Sequence, residues 1–291
     1  MRILITGSNG QVGDCLTHKL SNKVGITVLA LDREELDITN RDSVVKLIGE
    51  FQPRVIINAA AYTAVDKAES DSDVCFAINR DGVKNLAIAA QKTGATLLHI
   101  STDYVFDGDK DGEYLENDST NPQGVYGQSK FEGELAAQLC KKHIILRTAW
   151  VFGENGHNFV KTMLRLGTER DQLGVVSDQF GGPTYAGDIA NALIHIAECI
   201  GRGEAIDYGT YHFSGLPHVS WYEFAKTIFG KAMEYNVLPQ CPEVNAIPTS
   251  AYPTPAKRPA NSKLDCGKIE RTFGIKSSDW RSALDNIQAY R

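Results

Sequence analysis

The feature that most constrains this chain lies at its start. An apolar run, Ile3-Leu4-Ile5, breaks into Gly7-Ser8-Asn9-Gly10-Gln11-Val12-Gly13, and a helix-like segment follows. The pattern is GxxGxxG. Glycines permit a tight turn and let backbone N–H groups approach a pyrophosphate, while the helix N-terminus adds free donors and a favourable dipole. A glycine turn between strand and helix is common on its own. Its place directly after the first strand reads it as a dinucleotide-binding loop rather than a purely structural turn.

The same rhythm continues. Strand-like runs fall at Arg2–Thr6, Thr27–Leu31, Arg54–Asn58, Thr96–Ser101 and Ile144–Thr148. Helix-like segments lie between them at Gln11–Leu20, Ser43–Phe51, Asp81–Lys92 and Tyr126–Lys141. Continuous rather than alternating apolar runs suit strands buried on both faces of a parallel sheet. The expectation is an α/β, doubly wound parallel sheet of the Rossmann type over residues 1–150. Residues 151–291 then form a smaller, mainly substrate-binding region, some segments of which return to the first domain. Helical patterns recur there at Asn158–Leu166, Ala186–Cys199 and Trp221–Lys231. Six of the ten prolines crowd into Pro239–Pro259, which excludes regular helix and predicts an ordered loop or a lid.

Composition narrows the function classes. A net charge of −6, with no concentrated basic face, excludes a nucleic-acid partner. No apolar run approaches the roughly 18 residues of a membrane span, and the first apolar run is too short for a signal peptide. The expectation is a cytoplasmic protein without a membrane partner. The six cysteines are scattered without a CxxC pair and read as free thiols, with no residue assigned to a metal.

Further candidates follow from position. Asp32 ends the second strand with Arg33 beside it. A carboxylate suits the ribose diol of NAD, and an arginine suits the 2′-phosphate of NADP, so NADPH and NADH both remain open. The bland alternative is that Asp32 only caps a turn. Ala59, Ala60 and Ala61 follow the third strand, small enough to admit a cofactor or simply to pack a helix on the sheet. Tyr126 and Lys130 form a YxxxK pair on one helix face. A phenol of pKa about 10 is a poor proton donor-acceptor at neutral pH. A nearby ammonium is expected to draw it toward the working range and to hold the nicotinamide ribose. Thr102, at the end of the fourth strand, faces the ligand crevice and can hydrogen-bond a substrate carbonyl beside Tyr126. Glycine loop, strand-end hydroxyl and YxxxK in this order make a joint signal that none carries alone.

These residues resemble the extended short-chain dehydrogenase/reductase family and, within it, the dTDP-4-dehydrorhamnose reductases. The resembling segments are Gly7–Gly13, Asn58–Glu69, Ser101–Phe106, Tyr126–Lys130, Arg147–Phe152, Asn158–Leu164 and Pro248–Pro259, which span nearly the whole chain. The resemblance implies NAD(P)H-dependent reduction of the 4-keto group of a nucleotide-sugar substrate, dTDP-4-dehydro-L-rhamnose. It makes Tyr126, Lys130 and Thr102 catalytic. It places Gly10, Gln11 and Val12 on the pyrophosphate, and Asp32, Asp37, Ile38, Ala61, Tyr62 and Thr63 along the rest of the cofactor cleft. Thr102, Asp103 and Trp150 match positions that touch substrate, although Trp150 also reads as a core tryptophan. Arg258, in the proline-rich stretch, is a candidate for the diphosphate. Some members form dimers bridged by Mg²⁺ through glutamates, one of them two residues after the third fingerprint glycine. That position is Cys15 here, a poor ligand for an ion that wants hard oxygen donors, so the metal bridge is doubtful while a homodimer stays open. Competing readings are a related nucleotide-sugar epimerase or dehydratase, and a non-catalytic subunit resembling the regulatory subunit of methionine adenosyltransferase. Turnover against binding alone separates them.

Overall fold

The computed structural model describes residues 1–291. Its first part runs β1 Arg2–Thr6, α1 Gln11–Leu20, β2 Thr27–Leu31, α2 Arg41–Phe51, β3 Val55–Asn58, α3 Val65–Ala68, α4 Ser72–Phe76, α5 Val83–Thr93, β4 Thr96–Thr102, α6 Val125–Ala137 and β5 His143–Thr148. It continues with β6 Val151–Phe152, α7 Phe159–Glu169, β7 Gln172–Val176, β8 Phe180–Gly181, β9 Thr184–Tyr185, α8 Ala186–Arg202, β10 Gly209–His212, β11 Val219–Ser220, α9 Trp221–Glu234, β12 Glu243–Ile247 and β13 Asn261–Ser262.

Six parallel strands form the main sheet in the order β10-β5-β4-β3-β1-β2. The order reverses between β1 and β3. Ligand crevices in such sheets open at that switch, above the carboxyl ends of the strands. Alternate side chains feed two layers, which is why the strands read as unbroken apolar runs. Ile3, Ile5, Leu98 and Leu146 pack under α1 and α8 with Leu16, Ile189 and Leu193. Leu4, Ile56, Leu97 and Ile145 pack on the other face with Val44, Ile48 and Leu86.

Two later segments join this sheet. β10 extends it beside β5, and α8 packs on it among residues of β1 and α1. A third apolar cluster stands apart, built from Phe152, Leu164, Phe224, Phe229, Trp280 and Tyr290. The capping box of Ser220 and Glu223 fixes the start of α9 in that cluster. The proline-rich stretch holds regular structure after all. Its β12 pairs in parallel with β7, Val244 opposite Leu173 and Ala246 opposite Val175. No residue of β12 is buried, so this strand leaves almost no apolar signal in the sequence. Helix α6 also ends earlier than its pattern suggests: after Ala137 the chain tightens into turns, Cys140 N–H donating to the Ala137 carbonyl at 3.0 Å, so that β5 can start at His143. No helix is long and apolar enough to cross a membrane.

Candidate active site

The glycine turn is required by contact as well as by conformation. Gly7 has φ +71°, and a Cβ there would stand 2.6 Å from the backbone of Ala60. A Cβ on Gly13 would stand 2.0 Å from the Gly7 carbonyl oxygen. Gly10 caps α1 with no side-chain hydrogen bond of its own. The amides of the first helical turn are therefore left for an anion. Val12 sends its side chain into the core, so only its backbone faces that position. Gln11 reaches sideways and accepts from Asn158 Nδ2 at 3.0 Å.

The end of β2 is held by side chains. Asn9 Nδ2 donates to Asp32 Oδ2 at 2.7 Å, tying the fingerprint loop to the end of β2. Asp32 Oδ1 accepts the Glu34 and Glu35 amides at 2.8 and 3.0 Å. Asp32 thus closes a turn and flanks the loop at once, and Arg33 is exposed beside it. Asp37 is spent on the Thr39 amide and hydroxyl, and the Ile38 side chain is buried. Ala59, Ala60, Ala61 and Tyr62 are half-buried along the exit of β3, and Thr63 is exposed. Tyr62 is pinned there: its N–H donates to Asn79 Oδ1 at 2.8 Å and its carbonyl accepts from Asn79 Nδ2 at 3.0 Å.

Thr102, Tyr126 and Lys130 meet where β4 ends and α6 begins. A Cβ on Gly127 would stand 2.3 Å from the Tyr104 carbonyl oxygen, so glycine alone lets α6 press against the strand end. Lys130 is buried, and its Nζ donates to the Ile100 carbonyl at 2.6 Å. Burial lowers its ammonium to about 8, with Glu134 acting in the other direction. Tyr126 departs from the sequence expectation. Burial pushes its phenol up, the Thr102 hydroxyl beside it pulls the other way, and the Lys130 ammonium, turned to the Ile100 carbonyl, does not offset the burial.

Thr102 donates to Asp103 Oδ1 at 3.0 Å. Burial raises the Asp103 carboxyl to about 6, while the Ser262 and Thr102 hydroxyls hold it down. Asp103 Oδ2 and the Ser262 hydroxyl nonetheless lack a well-formed hydrogen bond. Beside this cluster opens a cavity of about 680 Å³, whose walls include Tyr104, Trp150, Phe159, Trp221, Arg258 and Ser262. Trp150 lies on Trp221, ring centroids 3.5 Å apart at 11°. Its ring also packs where Gly181 has no Cβ, so Trp150 is cavity wall as well as packing. Arg258 reaches the cavity but is not free: it donates to Asp66 Oδ2 at 2.5 Å and to the Tyr104 hydroxyl at 2.9 Å.

Residues 1–290 match the protein family described as RmlD substrate binding domain. The chain belongs to that family. It is 58% identical, over 99% of both chains, to a dTDP-4-dehydrorhamnose reductase of Aggregatibacter actinomycetemcomitans. The crystal structure of a dTDP-4-dehydrorhamnose reductase from Clostridium acetobutylicum superposes with a TM-score of 0.91 at 42% identity, covering 99% of this chain and 98% of that one. A reductase of the same name from Bacillus anthracis, solved in complex with NADP, gives a TM-score of 0.88 at 39% identity over 100% and 99% of the two chains.

Within this RmlD-type site, the cradle shaped by Gly7, Gly10 and Gly13 fits a dinucleotide pyrophosphate. Cys15 itself does not fit a bridging Mg²⁺. Burial raises that thiol to about 11, and a neutral thiol is no ligand for a hard cation. Sequence reading missed several supports. Asn79 lies in the wide turn Ala77–Gly82 and also donates to Ser129 Oγ at 3.0 Å. Glu134 takes Arg147 in a bidentate pair at 2.8 and 2.7 Å, with the Ser101 hydroxyl at 2.6 Å, one turn beyond Lys130. Glu134 at i+4 from Lys130 was the one readable hint.

Proposed function

We propose that this protein is an NAD(P)H-dependent oxidoreductase that reduces dTDP-4-dehydro-L-rhamnose to dTDP-L-rhamnose. The observation that carries the reading is the meeting of Tyr126, Lys130 and Thr102 at the carboxyl end of β4, joined through Tyr104 to the wall of the 680 Å³ cavity. A nicotinamide cofactor held at the glycine turn would supply the hydride for C4 of the sugar. Tyr126 gives its proton to the oxygen that becomes the hydroxyl. Tyr126 arrives protonated, as a donor must; burial by itself makes it a weaker acid, and the Thr102 hydroxyl beside it works against that as the proton leaves. Once the proton has left, the Lys130 ammonium one turn away stabilises the phenolate, and it also holds the ribose hydroxyls. Thr102 has a single proton, which it gives to Asp103 Oδ1; turned to the substrate carbonyl, the same proton polarises it. Trp150 forms the wall against the sugar ring, and Arg258 meets the diphosphate by sharing its charge with Asp66.

In this reading residues 1–150 bind the cofactor, α8 and β10 return to complete that unit, and the rest of 151–291 shapes the substrate side. The free thiols suit the cytoplasm, and any homodimer forms without a Mg²⁺ bridge through Cys15. The test mixes the protein with NADPH or NADH and dTDP-4-dehydro-L-rhamnose made in place, following nicotinamide absorbance. Oxidation that Tyr126→Phe abolishes while still binding cofactor is expected. Cofactor binding without oxidation would move the assignment to a binding subunit or another keto sugar.

A further inference from the structure

Tyr104 touches Thr102, Tyr126 and Arg258, yet the proton-transfer steps give it no role. Its N–H donates to Thr102 Oγ1 at 3.3 Å. Its carbonyl lies against Gly127, the residue after Tyr126. Its ring stands edge-on to the Tyr126 ring, centroids 5.4 Å apart at 77°. Its hydroxyl accepts from Arg258 at 2.9 Å. Tyr126 sits in the first turn of α6, whose cap, Gly124, offers no side chain. The Val125 N–H beside it donates to Glu69 Oε1 at 2.9 Å and anchors the helix backbone, which leaves the direction of the catalytic ring to its side-chain neighbours, the edge-to-face contact with Tyr104 among them.

Arg258 arrives from the far end of the chain, and its guanidinium is split between Tyr104 and Asp66. All three side chains line the cavity. The Asp66 side chain is 41% exposed, so its hold on Arg258 is screened by water. A diphosphate in the cavity carries the same sign as Asp66 and competes for the same nitrogen, Nη2. The other nitrogen, Nη1, stays on the neutral Tyr104 hydroxyl.

We propose that Tyr104 is a positioning residue for Tyr126, and that Arg258 relays to it the arrival of the substrate's diphosphate. This rests on the reductase reading and adds to it. Binding energy from a group remote from the carbonyl is then used to orient the proton donor, which is how remote groups raise kcat rather than only lower KM.

Tyr104→Phe removes the hydroxyl and keeps the ring. The expected result is dTDP affinity near that of the wild type, with kcat lowered about tenfold or more by a misdirected phenol. The alkaline limb of the kcat–pH profile should move as well, which a merely structural residue would not cause. A rise in KM alone, or no change, overturns the positioning role. Arg258→Lys, which keeps the charge but lacks the fork, should reproduce the loss of kcat and carries the test if Tyr104→Phe folds poorly. Asp66→Asn frees Arg258 and should tighten dTDP binding up to about fivefold, the range of an exposed ion pair. Unchanged or weaker dTDP binding overturns the relay. That measurement needs no turnover, so it decides the relay even if the wild type reduces no keto sugar, an outcome that would sink the reductase reading instead.

Discussion

Replacing Lys130 with methionine should make the cofactor-free protein more stable at neutral pH while removing its activity. Lys130 is 2% exposed and has no carboxylate partner within ion-pair distance; its ammonium is held by the Ile100 carbonyl alone. Burial lowers its pKa from 10.5 to about 8. At about 1.4 kcal/mol per pH unit, carrying that proton costs the fold roughly 3 kcal/mol at pH 7. Methionine fills a similar volume without the charge but leaves the Ile100 carbonyl without its donor, a loss of about 1 kcal/mol. The net expectation is a gain of about 2 kcal/mol. The sign with pH follows from linkage. Between pH 8 and 10.5 the unfolded chain binds the proton that the folded protein has released, so wild-type stability rises with pH across that window relative to the variant. Urea melts of wild type and Lys130→Met at pH 7 and near the top of that window measure this directly. The variant's advantage should be present at the lower pH and mostly gone at the higher one. A variant less stable at pH 7, or an advantage indifferent to pH, would refute the claim that the lysine is held at a cost. Loss of turnover in the same variant would show the exchange of stability for function found where buried charges do chemistry.

Two further substitutions test the frame around the site. Gly13→Ala places a Cβ 2.0 Å from the Gly7 carbonyl oxygen, so the turn must open; nucleotide titration should show cofactor binding weakened at least about a hundredfold, and undiminished binding would contradict the cradle. Glu134→Gln leaves Arg147 buried without its carboxylate, which should cost about 3–5 kcal/mol in urea melts at pH 7; a loss below about 1 kcal/mol would mean the pair is solvated in solution.

The legible parts of this protein are those whose physics is local. β1, α1 and β2 have the bounds that the apolar runs and the glycine turn predict, and β1, buried on both faces, must be apolar throughout. Tyr126 and Lys130 were readable because one helical turn brings them to one face. β10 was not, since its Gly209-Thr210-Tyr211-His212 carries no apolar run and is a strand only because β5 offers an open edge. In the β7–β12 ribbon only β7 carries buried apolar residues; β12, Glu243–Ile247, has none buried and is a strand because β7 pairs with it.

What the sequence determined alone is therefore the α/β repeat, the phosphate-cradling turn and the presence of a hydroxyl, a phenol and an ammonium in the right order. What the tertiary structure decided is the electrical state of those groups and their company. Burial, not the neighbouring ammonium, sets the Tyr126 phenol, and the Ile100 carbonyl decides where Lys130 points. Asp66, Tyr104 and Arg258 lie far apart in the chain and become neighbours only when the proline-rich stretch folds back over the sheet. Hydrophobic period and turn chemistry act over a few residues and are written locally. Desolvation and long-range pairing depend on what the rest of the chain brings alongside, which no local pattern records.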